Sequence, residues 1–182
     1  MSDLIPRLSQ EELPPQVAAF LRPRVERLGY LGEFFRCTAH QPDALLSFLT
    51  FTEDLKKALP DKLTEVVALT VAASMDNAYE RVQHERLSLK LGFGETWIRG
   101  VLALQPDAGV LSLEEATVQK LVIAALERKG HNTRRELDAV VRAIGYQRAI
   151  AALMLIGRYL THALIVNSLA LAPPVPSPLE GK

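Results

Sequence analysis

The chain has 182 residues, 48% of them hydrophobic, and its 21 Lys and Arg balance 21 Asp and Glu to a formal net charge of zero. That length fits one domain able to bury on the order of 70% of its unfolded surface, and a balanced charge offers no electrostatic footprint for nucleic acid or an anionic membrane. A single cysteine, Cys37, excludes an intramolecular disulfide and a Cys-x-x-Cys redox pair, and fits a reducing cytoplasm.

Apolar residues recur at helical spacing almost throughout, without alternating strand patterns, which predicts an all-α protein. The N-terminal residues lack the basic-then-apolar order of a signal peptide. A first helix follows Pro14-Pro15 and ends by Gly29, with Pro23 bending it; a short piece spans Glu33 to Ala39, and Asp43 to Leu59 forms the next helix. Pro60-Asp61 opens the helix that carries Glu65, and Met75-Asp76-Asn77 breaks it. Asn77 then starts a new helix, with Glu80 three residues later in capping-box spacing and Gly92 as the stop. After a short helix over Thr96 to Leu104, Ser112-Leu-Glu-Glu115 opens a helix to Lys129 that Gly130 ends. Thr133-Arg-Arg-Glu136 repeats the same device before Gly145. The last helix runs from Tyr146 to Ser168. The apolar run Ala149 to Ala172 is nominally long enough to cross a bilayer, but Arg158, His162 and Asn167 interrupt it, so it reads as a core or interface helix and no membrane partner is expected. The expected organisation is one helical domain over 1–172 and a Pro-rich tail over 173–182, extended and either free or laid over a neighbouring subunit.

Two ionisable residues stand where burial is expected. Glu65 lies inside an apolar run, and His84 shares a helical stripe with Glu80, Leu87 and Leu91. Buried charges need partners, so Glu65 and His84 are expected to form a hydrogen-bonded acid/base pair in a pocket. Glu80 sits four residues before His84 and reads equally as a capping acid or as a second carboxylate, the two titrations pushed apart so that one is held protonated. Tyr79 is either an amphipathic core residue or a hydroxyl that orients a substrate oxygen. Asn77 is a cap first and then a pocket residue whose helix start leaves N–H groups open to an anionic group. Arg81, Arg86 and Arg99 offer a grip on a carboxylate beside their default as surface ion pairs, and Trp97, Tyr159 and His162 offer a pocket lining beside their default as core. Cys37 reads as a small buried hydrophobe. No His-Glu-x-x-His pair and no glycine-rich nucleotide loop is present, so neither metal nor cofactor is expected.

The spacing from Glu65 through Asn77 and Glu80 to His84 resembles the Glu-x11-Cys-x-x-Cys-x3-His motif of the alkylhydroperoxidase D and carboxymuconolactone decarboxylase superfamily. Asn77 and Glu80 stand at the two cysteine positions, as in a cysteine-free branch with a Tyr-Glu pair before the histidine. The likeness continues through Ala39-His40-Gln41-Pro42 and Ile156-Gly157-Arg158-Tyr159 and covers most of the chain. It implies an AhpD-like multi-helix bundle that assembles as a dimer, trimer or hexamer. It also implies a cofactor-free acid/base enzyme working on a small lactone or keto acid, with His84 as proton donor, Glu65 as its partner, Tyr79 or Glu80 touching substrate, and Asn77, Arg81 and Trp97 as further contacts. The superfamily's peroxidase activity is the alternative, weakened by the missing thiols; a non-catalytic, ligand-binding oligomer is the other.

Overall fold

The computed structural model describes residues 4–180. Nine α-helices, and no strand, are found among them: α1 (Pro15–Leu28), α2 (Glu33–Thr38), α3 (Pro42–Ala58), α4 (Asp61–Ser74), α5 (Ala78–Lys90), α6 (Glu95–Leu102), α7 (Leu113–Glu127), α8 (Arg134–Ile144) and α9 (Tyr146–Ser168).

The caps explain most boundaries. Ser112 and Glu115 exchange both bonds of a capping box at the start of α7, and Gly29 ends α1 in the left-handed region at φ 78°. The device expected at Thr133 does not form. Its hydroxyl bonds back to the Gly130 carbonyl at 3.3 Å, and Glu136 turns to Arg128 at 3.2 Å.

Helix α4 is the axis of the molecule, buried without interruption from Leu63 to Ala72 and packed by α5, α6, α7 and α9. A helix apolar on every side has no solvent face, which is why Glu65 within it must find its partner inside the protein. Helix α9 packs on α3, α4 and α8 with Ala152, Leu155, Tyr159 and Ala163 inward, so the membrane-length apolar run is a core helix. One face of it stays open, where Tyr146, Ile150, Met154 and Leu164 are exposed.

The core divides into two apolar clusters. One is built on α4 with α6 to α9; the other joins α1, α2 and α3 to the end of α9. Tyr159 belongs to the first and Tyr79 to the second. Each fully buried Leu, Val or Phe contributes about 1.5–3 kcal/mol, so the clusters are held rigidly while the seam between them stays free to carry polar groups.

The Pro-rich tail departs from expectation by folding onto its own chain. Leu179 enters the first cluster, Ser177 is buried against Glu85, and Arg99 donates to the Leu179 carbonyl at 2.9 Å. An apolar anchor and a buried acid needing a donor are what draw it in.

Candidate active site

The turn between α4 and α5 creates the central pair. Asp76 takes φ 51°, a left-handed conformation that Asp tolerates better than most residues, and the chain reverses so that α5 runs back along α4. Residues at similar distances from the turn then meet. Glu65 lies eleven positions before Asp76, while His84 and Ser88 lie eight and twelve after it. Glu65 Oε2 accepts from His84 Nδ1 at 2.7 Å and from Ser88 Oγ at 3.1 Å, with all three residues buried.

Asn77 caps α5 as expected, its Oδ1 accepting from the Glu80 N–H at 3.0 Å. The reciprocal bond is absent because the Asn77 N–H already donates to the Ala72 carbonyl at 2.9 Å. Glu80 is thereby released to the interior. Its Oε1 accepts from Arg158 Nη1 at 2.8 Å and lies 3.5 Å from His84 Nε2, and its Oε2 is 3.2 Å from His162 Nε2. Arg158 is fixed in turn by Thr52 Oγ1 at 3.0 Å and by the Tyr159 ring, 4.3 Å below its guanidinium. His162 stacks on Phe34 with centroids 4.1 Å apart, and its Nδ1 lies 3.4 Å from Asn77 Nδ2, which leaves the proton on Nε2 for Glu80.

Burial opposes a charge on His84, but the Glu65 carboxylate beside it, with help from Glu80, outweighs that and holds the ring at a pKa of about 9. It is a cation at neutral pH. Burial also opposes the Glu80 charge, but the His162 N–H beside it and the positive charges of His84 and Arg158 hold the carboxyl well below its ordinary value. Glu80 is therefore ionised and is not the carboxyl held protonated; Arg158, unforeseen, neutralises it. His162 goes the other way. Burial, with the Arg158 and His84 charges, lowers it to about 4 against the pull of Glu80, so this ring is neutral.

These groups open on a cavity of about 530 Å³ at the seam between the two clusters. His84, Glu80, Arg158, Tyr159, Tyr79 and His162 all line it, and Glu65 supports His84 from behind. Among the described residues the buried Tyr159 hydroxyl has no hydrogen-bond partner, and burial pushes its pKa well up, so it persists as a neutral donor. Tyr79 is kept neutral in the same way and stands so close to Gly32 that a Cβ there would come within 2.5 Å of its oxygen; only glycine leaves room for it.

The remaining expected contacts lie elsewhere. Asn77 is buried behind the lining and serves as cap and His162 partner. Arg81 is drawn to Glu85 at 3.4 Å and Glu180 at 3.3 Å by the docked tail. Trp97 donates to Glu115 at 3.0 Å and packs edge-on against Phe93, away from the cavity. Arg86 is at the cavity edge, whereas Arg99 binds Glu95 and the tail. Cys37 is buried in the second cluster and does not line the cavity. Among the described residues no group of three His, Cys, Asp or Glu has a metal-holding arrangement. The role of Arg158 went unread, although a signal existed: Arg158 and His162 repeat, on apolar α9, the i, i+4 polar pair of Glu80 and His84.

The helices adopt an all-α fold of the alkylhydroperoxidase AhpD type. The chain is similar in structure to an uncharacterized peroxidase-related protein with an alkylhydroperoxidase AhpD core from Ralstonia eutropha JMP134, at TM-score 0.80 and 14% identity over 92% of this chain and 90% of that one. It is also similar to the debrominase Bmp8, at TM-score 0.82 and 14% identity over 96% and 94% of the two chains. A Cys-to-Ala variant of that debrominase in complex with 2,3,4-tribromopyrrole superposes at TM-score 0.80, also with 14% identity, over 94% and 92%. No protein-family model matches the chain, and no curated protein matches it in sequence.

Proposed function

We propose that the protein is a cofactor-free acid/base enzyme that decarboxylates, or moves a proton on, a small lactone or keto acid. The observation that carries this reading is the 2.7 Å bond between Glu65 and His84 at the wall of a half-open cavity. When the carbon–carboxylate bond breaks and carbon dioxide leaves, its electron pair moves into the adjacent carbonyl as an enolate. The unpartnered Tyr159 hydroxyl supplies a donor for that oxygen. The protonated His84 then gives its Nε2 proton to the carbon and is reprotonated from water, with Glu65 fixing the ring. Glu80, bound by Arg158, holds the outer nitrogen of His84 and takes no proton itself. A thiol peroxidase reading finds less support, because Cys37 lies outside the cavity lining.

The test is incubation with a panel of small lactone acids and keto acids in deuterium oxide, following carbon dioxide release and deuterium at the adjacent carbon by NMR. Turnover by the wild type and a loss of about 10²-fold or more in His84→Gln are expected. Absence of turnover on the whole panel, or a His84→Gln variant as active as the wild type, refutes the reading. We further propose a homo-oligomer, supported by the open apolar face of α9.

A further inference from the structure

Resting on the proton-transfer form of that reading, in which the substrate keeps its carboxylate, the cationic part of the cavity wall narrows the substrate. We infer that Arg24 on α1 and Lys56 on α3 form a carboxylate-binding subsite, so that the ligand is a flat, unsaturated monocarboxylate held at its acid end while its other end meets His84 and Tyr159.

Both cations line the cavity together with Arg158, although the three come from different helices. Lys56 is half-buried, and among the described residues its amine makes no hydrogen bond or ion pair. Arg24 has a single carboxylate partner, Glu53 at 3.5 Å, and lies 5.2 Å over the Phe35 ring. Burial lowers the proton affinity of both, Glu53 opposes it, and Arg158 lowers it further in each, joined by Arg27 at Arg24 and by Arg24 at Lys56. Like charges gathered in a partly desolvated place are costly unless an anion joins them. Arg158 is committed to Glu80, so the unmet positive charge is that of Lys56 and part of Arg24.

The mouth has the same sign. Arg27, Arg86 and Lys90 stand exposed at its edge, and among the described residues Glu80 is the only acid in the lining. A single carboxylate fits this surplus better than a phosphate, whose second charge would face Glu80. Phe34, Phe35 and Tyr79 supply flat walls for an unsaturated body.

The experiment is calorimetric titration of the full chain with 2-naphthoate and phenylpyruvate, each against its amide, and with inorganic phosphate. Wild type, Lys56→Met, Arg24→Met and Lys56→Arg are compared. The acids are expected to bind at least about tenfold tighter than the amides, a preference lost in Lys56→Met, reduced in Arg24→Met and restored in Lys56→Arg. Equal binding of acid and amide, no binding of either, an intact preference in Lys56→Met, or tighter Lys56-dependent binding of phosphate than of the acids overturns the inference. Failure of the acid/base reading looks different: acid preference persists while His84 titrates as an ordinary histidine.

Discussion

Glu65→Gln removes one charge from the heart of the site while keeping an acceptor oxygen for Ser88 and His84. The rise of the His84 pKa from its ordinary 6.5 to about 9 corresponds to about 3 kcal/mol of preference for the charged ring, at roughly 1.4 kcal/mol per tenfold change in proton affinity. Because the folded chain binds this proton more tightly than the unfolded one, the stabilisation is complete below pH 6.5 and is lost as pH climbs through about 9. In the Gln variant burial acts with less opposition, and His84 is expected to titrate near or below 6.5. The assay is ring nitrogen–proton correlation NMR of His84 across pH 5–10, paired with urea unfolding of both proteins over that range. The wild type should lose about 3 kcal/mol more than the variant between pH 6.5 and 9. A wild-type His84 that titrates near 6.5, or one whose pKa ignores the substitution, would refute the coupled pair, and a stability difference independent of pH would refute the linkage.

Tyr159→Phe separates folding from chemistry. Its hydroxyl has no partner, so urea unfolding should show unchanged or slightly higher stability, by up to about 1 kcal/mol, while turnover falls; a clear destabilisation would reveal a bond for that hydroxyl. Ser177→Ala removes the donor to buried Glu85 and should cost about 1–3 kcal/mol, with the tail becoming open to limited proteolysis before the rest of the chain; resistance equal to the wild type would show that Leu179 and the Arg81 and Arg99 contacts hold it without Ser177. Ile150→Glu with Met154→Glu charges the open face of α9. Light scattering after size exclusion should find an oligomer in the wild type and a smaller species in the double variant; a monomeric wild type, or an unchanged mass, would remove that face as a contact.

Local rules in the sequence determined the helices and one half of the site. Ser112 with Glu115, Gly29 and the prolines mark ends through bonds made within a few residues, and these hold in any surrounding. Glu65 and His84 were legible for a related reason: they lie on consecutive helices at matched distances from one turn, and neither can be buried alone. What Glu80 does was not legible, since its spacing serves a cap as well as a charge cluster. The outcome rested on the Asn77 N–H going to Ala72 and on Arg158, 78 residues away, reaching Glu80. The Tyr159 hydroxyl, the unpaired Lys56 and the docking of Ser177 and Leu179 likewise took their meaning only from tertiary packing. A charge or hydroxyl in a sequence states a need, and which distant group meets it, or leaves it unmet for a ligand, is decided when helices from opposite ends of the chain are brought together.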